Sequence, residues 1–201
     1  EIAAGLALSV GDVPPGTWDP CSLMERYAAH LRQIVCSELE CLSEHEALKG
    51  LHVVCDAGNG AGGFFVTNVL QALGADTSGS QFLEPDGRFP NHSPNPEDPE
   101  AMKSLSLAVC RAGADLGILF DTGVDRSADV DAAGREIARN RIVALAASLI
   151  ATEKEGGIIV TDSVTSDQLK VFLEEELGFH HLRYQRGYRN VIGKALVLNA
   201  E

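Results

Sequence analysis

The alternation of short apolar segments with longer helical patterns constrains the fold of this chain more than any other feature of its sequence. Three apolar segments are predicted to form strands: LHVVCDAG at 51–58, DLGILFD at 115–121 and GIIVTD at 157–162. A weak strand pattern lies at 78–83, and further strands are predicted at 128–137 and 181–187. Helical patterns lie between the strands, at 22–47, 63–74, 97–112, 140–153, 166–177 and 188–199. The first is predicted to be capped by Ser22 and to place Leu23, Tyr27, Leu31 and Ile34 on one face. Gly74 and Gly178 are predicted to end the second and the fifth. This alternation indicates an α/β fold with mostly parallel sheets, whose ligands bind beyond the carboxyl ends of the strands.

The pattern divides the chain into two successive α/β layered units. It restarts near residue 140, so we predict one domain over 22–139 and a second, truncated one over 140–201. Residues 1–21 contain the Pro- and Gly-rich stretch GDVPPGTWDP and are expected to be the end of a preceding domain and a connector. Both ends of the sequence resemble cuts within a longer protein, so a targeting peptide would not be visible.

The composition favours a folded chain and argues against several partners. Hydrophobic residues make up 45% of the 201 residues, which is enough for a sizeable core. A net charge of −13 and the lack of a basic run disfavour nucleic acid, and no apolar run approaches the length of a membrane helix. The five scattered cysteines include no CxxC pair. They predict buried free thiols in a reducing compartment, either the cytoplasm or the stroma of a plastid or another organelle.

The stretch VVCDAGNGAGG at 53–63 contains the G-x-G-x-x-G pattern of dinucleotide-binding proteins. Asp56 precedes the first glycine by two residues, where its charge would repel a pyrophosphate by about 4 kcal/mol per charge pair at an effective dielectric near 20. The acidic residue expected about 20 positions later has only Glu84 as a candidate, in a predicted loop. We therefore predict a tight strand-to-helix turn that glycine permits, and not a nucleotide site.

The stretch LFDTGVDR at 119–126 places acidic residues directly after a predicted strand. Asp121 and Asp125 flank Gly123, and Arg126 follows. Carboxylates at alternate positions of an extended loop suit Mg²⁺, which prefers oxygen ligands and often keeps a substrate phosphate as one of them. The adjacent arginine suits a phosphate. A solvated turn closed by a capping aspartate would have the same spacing.

Four segments together resemble the α-D-phosphohexomutases, the family of phosphoglucomutases and phosphomannomutases. They are VVCDAGNGAGG, DGRFPNHSPNPEDPE, ADLGILFDTGVDRSADVDAAGREI and GIIVTDSVTSDQL, in the order seen in the second and third domains of that family. The resemblance covers about residues 20–200. It implies the phosphohexomutase fold, in which 22–139 is domain II and 140–201 is most of domain III. Domains I and IV would be further parts of the same chain.

The resemblance implies an isomerase that moves a phosphoryl group within a hexose phosphate through a phosphoserine of domain I. Asp121 and Asp125 match the outer carboxylates of the family's Mg²⁺ loop, and Arg126 matches its phosphate-facing arginine. The segment Gly187-Tyr188-Arg189 lies where relatives carry a substrate-reading turn. No catalytic residue is implied within this chain, because the nucleophilic serine would lie upstream, and the chain alone is expected to be inactive.

The metal loop departs from the family pattern at one position. Gly123 replaces the middle aspartate, which should weaken the Mg²⁺ site. This departure keeps a second hypothesis open, a mutase-like protein that has lost activity and serves as a binding or regulatory partner. A haloacid-dehalogenase-type phosphatase is disfavoured, since its proton-donating acid would also occupy position 123.

Several other residues have predicted roles, and for most of them two interpretations are open. His92 either fixes the Pro-rich loop or faces the active cleft, and Ser166 is expected to cap a helix. Asp129 belongs to a solvated face or is a weak metal candidate. Arg186 and Arg189 contact a sugar phosphate or are surface charges.

Overall fold

The computed structural model describes residue 17 and residues 21–41, 43–153 and 156–199. Most of the predicted connector, including Trp18, lies outside these ranges. The helices are α1 (Leu23–Glu38), α2 (Gly63–Phe65), α3 (Pro99–Ala112), α4 (Arg139–Glu153), α5 (Asp167–Val171) and α6 (Tyr188–Asn199). The strands are β1 (Val53–Asp56), β2 (Leu116–Phe120), β3 (Ser127–Asp131), β4 (Ile158–Thr161) and β5 (His180–Arg183). The predicted α/β class is confirmed.

The first sheet has the order β1-β2-β3. Strands β1 and β2 are parallel, with Val53 opposite Leu116, and β2 and β3 are antiparallel, with Phe120 opposite Ser127. The acidic loop is therefore the turn of a β-hairpin. The weak strand predicted at 78–83 does not form, and this stretch contributes only the bridge between Asp56 and Gln81.

Both faces of the first sheet are buried, because successive side chains of a strand point to opposite sides. Val54, Leu119 and Val130 pack on one face against the apolar side of α3. Val53, Cys55 and Phe120 pack on the other face, with the residues that follow α2. Burial on both sides explains why 53–55 and 116–120 are continuous apolar runs and do not alternate with polar residues.

Helix α1 is shorter than predicted and is rotated from the predicted orientation. It ends at Glu38, not at residue 47, and Ser22 makes no side-chain hydrogen bond at its start. Of the predicted apolar face, Tyr27 and Ile34 are exposed. Ala28 is the buried residue of α1, and it packs against Val69 and Leu73.

Two of the predicted helices change their hydrogen-bonding pattern along their length. Helix α2 continues as a π-helix over Val66–Leu70, and α5 continues as a π-helix over Phe172–Glu176. Gly74 and Gly178, predicted to end these helices, both have positive φ. The Ser166 hydroxyl accepts a hydrogen bond from the Leu169 N–H at 3.2 Å, which confirms the predicted cap of α5.

The second sheet consists of β4 and β5, which are parallel, with Ile158 opposite His180. Ala147, Leu169 and Leu173 form the core beside it. Within the described ranges no strand ladder joins the two sheets. The division at residues 139 and 140 stays a prediction, and α4 begins at that point.

The five cysteines are free, and only Cys55 is buried, so the prediction of buried thiols is wrong for the others.

In the part of the chain that the structure describes, no helix is both long and apolar enough to cross a membrane.

Gly117 sets the distance between β2 and α3. A Cβ atom at this position would lie 2.4 Å from Val109 Cγ2 and 2.6 Å from Val130 Cγ2. Gly117→Ala is therefore expected to lower the free energy of unfolding by about 2 kcal/mol through overpacking. Urea denaturation measures this change.

Gly193 provides the matched control, since it lies within α6 and a Cβ atom there would meet no atom within 4 Å. Gly193→Ala is expected to be neutral or to stabilise the chain by up to about 1 kcal/mol, because alanine favours the helix. Equal effects of the two substitutions would contradict the packing argument.

Candidate functional site

The glycine turn and the acidic loop touch each other at the carboxyl edge of the first sheet. They follow β1 and β2, which are adjacent and parallel. The Ala61 N–H donates to the Thr122 carbonyl oxygen at 3.0 Å. A Cβ atom on Gly60 would lie 2.9 Å from the Thr122 Cα. The glycines thus permit a close approach of two backbones, in keeping with the predicted structural turn.

Asp121 is only 4% exposed, and the loop's own donors surround its carboxylate. Oδ1 accepts from the N–H groups of Asp125 at 3.0 Å and Arg126 at 3.3 Å, and Oδ2 accepts from Arg126 Nε at 3.1 Å. Burial raises the pKa of Asp121, but the hydrogen bonds from Arg126 and Asp125 outweigh it and lower the pKa below its ordinary value. Asp121 is therefore an anion at neutral pH and holds the loop in shape.

Asp125 lies on the exposed side of the same loop. Its Oδ1 is 3.2 Å from the position that a Cβ atom on Gly123 would occupy. A carboxylate at position 123 would therefore lie beside that of Asp125. Among the described residues, no group of three or more His, Cys, Asp or Glu side chains could hold a metal ion. Asp121 and Asp125 thus offer two carboxylates from one loop, a donor type that suits Mg²⁺ when a phosphate and water supply the other ligands.

Asp129 belongs to β3 and not to the acidic loop. It pairs with Ile118, which in turn pairs with Cys55, so the three residues form one row across the sheet. Burial raises the pKa of Asp129 above its ordinary value. The solvated face predicted for this residue is thus wrong in part, because Asp129 is half-buried at the edge of an apolar row.

His92 fixes the Pro-rich loop to the end of β1. Its Nε2 lies 2.9 Å from Asp56 Oδ2, and its Nδ1 lies 2.9 Å from the Ser93 carbonyl oxygen. The Asp56 carboxylate is fully buried and also accepts from the Gly58 N–H and from Gln81 Nε2, each at 2.8 Å. Of the two roles considered for His92, the structure thus shows the loop-fixing hydrogen bonds.

The turn at 186–189 leads from the second sheet into α6. Gly187 has a φ of 116°, and the Asn190 side-chain amide donates to the Arg186 carbonyl oxygen at 2.8 Å. Gly187 and Tyr188 line a cleft of about 770 Å³ that is also lined by residues of the Pro-rich loop and the end of β4. Arg186 belongs to this lining as well, whereas Arg189 does not.

Two residues near the acidic loop were not predicted from the sequence, Glu97 and Arg139. Arg139 Nη2 donates to Glu97 Oε1 at 2.7 Å. The Arg139 hydrogen bond and charge lower the pKa of Glu97, and the charges of Arg126 and Arg186 add to this effect. Arg126 and Arg139 also line a pocket of about 260 Å³ with Glu97. Three guanidinium groups thus act on one carboxylate where the two predicted domains meet.

An acidic loop braced by a glycine turn, with arginines beside it, defines an α/β protein that gathers carboxylates and guanidinium groups at one edge of its first sheet. The sequence model of the family described as phosphoglucomutase/phosphomannomutase, alpha/beta/alpha domain II, matches residues 25–134. The chain belongs to the phosphoglucomutase/phosphomannomutase family, as the four sequence segments predicted.

Individual relatives agree with this assignment. A phosphomannomutase/phosphoglucomutase of Pseudomonas putida is 32% identical over 163 residues, which are 81% of this chain and 33% of that protein. One of Pseudomonas syringae pv. tomato is 37% identical over 128 residues, 64% of this chain and 27% of that protein. The crystal structure of a family member from Burkholderia thailandensis has a TM-score of 0.74 and 27% identity, and covers 86% of this chain and 36% of that one. The chain spans about a third of the length of these relatives.

Asp121→Asn is expected to lower the free energy of unfolding at pH 7 by about 2 kcal/mol, since it removes the charge that three donors stabilise. The folded-state pKa of Asp121 is below its ordinary value of 3.8, so its stabilisation is complete well above pH 4 and is lost as the pH falls through the lowered pKa. The difference from the wild type should therefore shrink in acid. Thermal denaturation between pH 7 and pH 3 measures it.

Asp125→Asn is the matched control, because it changes an exposed carboxylate of the same loop. It should have little effect on stability at any pH in this range. A loss as large as that of Asp121→Asn would contradict the assignment of the structural role to Asp121.

His92→Ala is expected to lower the free energy of unfolding by about 3 kcal/mol, because it removes a donor from a buried carboxylate. The loop should also become sensitive to limited proteolysis. Arg88→Ala, in the same loop, removes an exposed ion pair with Asp86 and should change stability little. Similar proteolysis of the two variants would contradict the role of His92 as the anchor.

Proposed function

We propose that this chain is the second and part of the third domain of a phosphohexomutase, an isomerase that moves a phosphoryl group within a hexose phosphate. The observation that carries the proposal is the acidic loop at the end of β2, within the stretch that matches the family. The relatives named phosphomannomutase/phosphoglucomutase support the reaction class. Domains I and IV of the same protein would supply the nucleophilic serine and the remaining sugar and phosphate contacts.

Within this proposal, Asp121 and Asp125 would hold Mg²⁺, with a phosphate oxygen and water as further ligands. When bound, the metal supplies positive charge that neutralises the oxygens of the transferring phosphoryl group. Asp121 is ionised and fixed by the loop's own donors, which supports its role as the constant ligand. Gly123 leaves the set one carboxylate short, so the bound phosphate matters more here than in a loop with three acids.

The arginines provide the second element of the proposed mechanism. Arg126 faces a phosphate beside the metal, and Arg139 and Arg186 extend the positive charge toward the cleft, which Arg139, Arg186, Gly187 and Tyr188 help to line. The chain has a net charge of −13, so a local region of positive charge is needed to attract an anionic sugar phosphate. Arg189 does not line this cleft, so its contact with the substrate is proposed on the resemblance to the family alone. Fixed charges and positioning supply most of the catalysis in phosphoryl transfer.

A different function is favoured by Gly123, namely a mutase-like protein that binds hexose phosphates or another protein without catalysis. In this case the fold and the cleft would be retained while the metal site has decayed. A phosphomutase assay of the intact protein, with and without the substitution Gly123→Asp, separates the two. Turnover by the Gly123 form supports the enzyme, and turnover only after the substitution supports the inactive protein.

Gly123→Asp is also expected to tighten Mg²⁺ binding on the order of tenfold, because it adds an anionic ligand beside Asp125. The added side chain would displace only the Asp125 carboxylate, which is exposed and can rotate. An NMR titration with Mg²⁺, followed at residues 121–126, measures the change. The control is Asp125→Asn, which should weaken binding. No saturable shift in any of the three forms at millimolar Mg²⁺ would refute the metal assignment.

A further inference from the structure

The C-terminal turn of α1 brings two cysteines together. The Cys41 N–H donates to the Cys36 carbonyl oxygen at 3.1 Å, and the Glu40 N–H donates to the Ser37 carbonyl oxygen at 3.3 Å. Glu40 between them has a φ of 49°. These two hydrogen bonds, with a left-handed residue between them, form a Schellman motif. In this motif the side chains of the first and last residues of the turn commonly touch. Here both of these residues, Cys36 and Cys41, are cysteines.

The Schellman turn places the two thiols close enough for Cys41 to affect the ionisation of Cys36. Hydrogen bonding to Cys41, followed by burial, raises the pKa of the Cys36 thiol to about 11, and the charges of Cys41 and Glu44 act in the same direction. Both cysteines are partly exposed, so a reagent in solution can reach them. A disulfide requires Cα atoms about 4.4–6.8 Å apart, which is close to the rise of one helical turn.

We propose that Cys36 and Cys41 are a reversible disulfide site that reacts with small disulfides such as oxidised glutathione. The Cys41 thiolate attacks one sulfur of the oxidant, whose sulfur–sulfur bond breaks and releases one glutathione, which takes up a proton. The Cys36 thiol then loses its proton to solvent and attacks the Cys41 sulfur of the mixed disulfide, which releases the second glutathione. Two protein thiols are thereby oxidised to one disulfide, and one glutathione disulfide is reduced to two thiols.

The order of the two steps follows from the packing of Cys36, which lies against the cluster of Ala28, Val69 and Leu73, whereas Cys41 does not belong to that cluster. A thiolate is the attacking species in this exchange, and the raised pKa keeps Cys36 protonated at neutral pH. Cys41 therefore reacts first. In the mixed disulfide, Cys41 has neither a thiol proton nor a thiolate charge. Its hydrogen bond to Cys36 and its charge therefore no longer raise the pKa of Cys36. Cys36 then becomes the resolving thiol.

Oxidation would act on the contact between α1 and the rest of the first domain. Cys36 and Val35 pack beside the buried Ala28, Val69 and Leu73, and Ala47 and Leu48 beyond the turn join the same cluster. A disulfide across the turn would fix the direction in which the chain leaves α1. The oxidised chain should therefore melt a few degrees above the reduced one, because the cross-link restricts the unfolded state.

Mass spectrometry tests the proposal on the folded wild-type chain. After incubation with oxidised glutathione and alkylation, trypsin releases residues 33–49 as one peptide that contains both cysteines, since Arg32 and Lys49 bound it. The expected peptide escapes alkylation and is lighter than the reduced form by two hydrogen atoms, and dithiothreitol reverses the change. Cys21, Cys55 and Cys110 fall in separate peptides and serve as internal controls. Alkylation of both cysteines in 33–49 would overturn the proposal.

The variants Cys36→Ser and Cys110→Ser test the order of the steps. Cys36→Ser should trap glutathione on Cys41, because the resolving thiol is absent. Cys110→Ser removes an exposed cysteine of α3 and should leave disulfide formation in peptide 33–49 unchanged. Failure of Cys36→Ser to accumulate the Cys41 adduct, while Cys110 of the same sample takes up glutathione, would overturn Cys41 as the attacking thiol.

Discussion

The parallel pairing of β1 with β2 is the constraint on which the proposed site depends. Because the two strands run in the same direction, the turns that follow them emerge at one edge of the sheet. The glycine turn and the acidic loop meet there and share a backbone hydrogen bond between Ala61 and Thr122. Asp121 then closes its own hairpin with bonds to Asp125 and Arg126. The position of the carboxylate is thus fixed by the sheet, and its orientation is fixed by local donors.

The order of helices and strands could be predicted from the sequence, because each strand is a short apolar run bounded by turn residues. The acidic loop could be predicted for the same reason, as it follows the run 115–121 directly. The rotation of α1 could not be predicted, since Tyr27 and Ala28 are adjacent and either could face the core. The π-helical segments also leave no mark in the apolar pattern, because each extends over only five residues.

The contacts that a linear pattern misses are those between distant parts of the chain. Arg139 and Glu97 are separated by 42 residues and meet only because the Pro-rich loop returns past the end of the first sheet. His92 lies 36 residues from Asp56, and the sequence offered only alternatives for its role. In both cases the residue types were visible, but the partner was not. The charge pattern of the candidate site is therefore a product of the folded structure and is not apparent in any single motif.

The close contact between Gly60 and Thr122 has a consequence for ligand binding. Two backbones that already touch leave the acidic loop few alternative conformations, so little conformational entropy remains to be lost when a ligand binds. When a ligand binds a loop that is already ordered, less of the interaction energy is offset by the loss of conformational entropy. The affinity is therefore higher than for a mobile loop with the same contacts. In the proposed metal site, rigidity inherited from the neighbouring turn would compensate in part for the carboxylate that position 123 lacks.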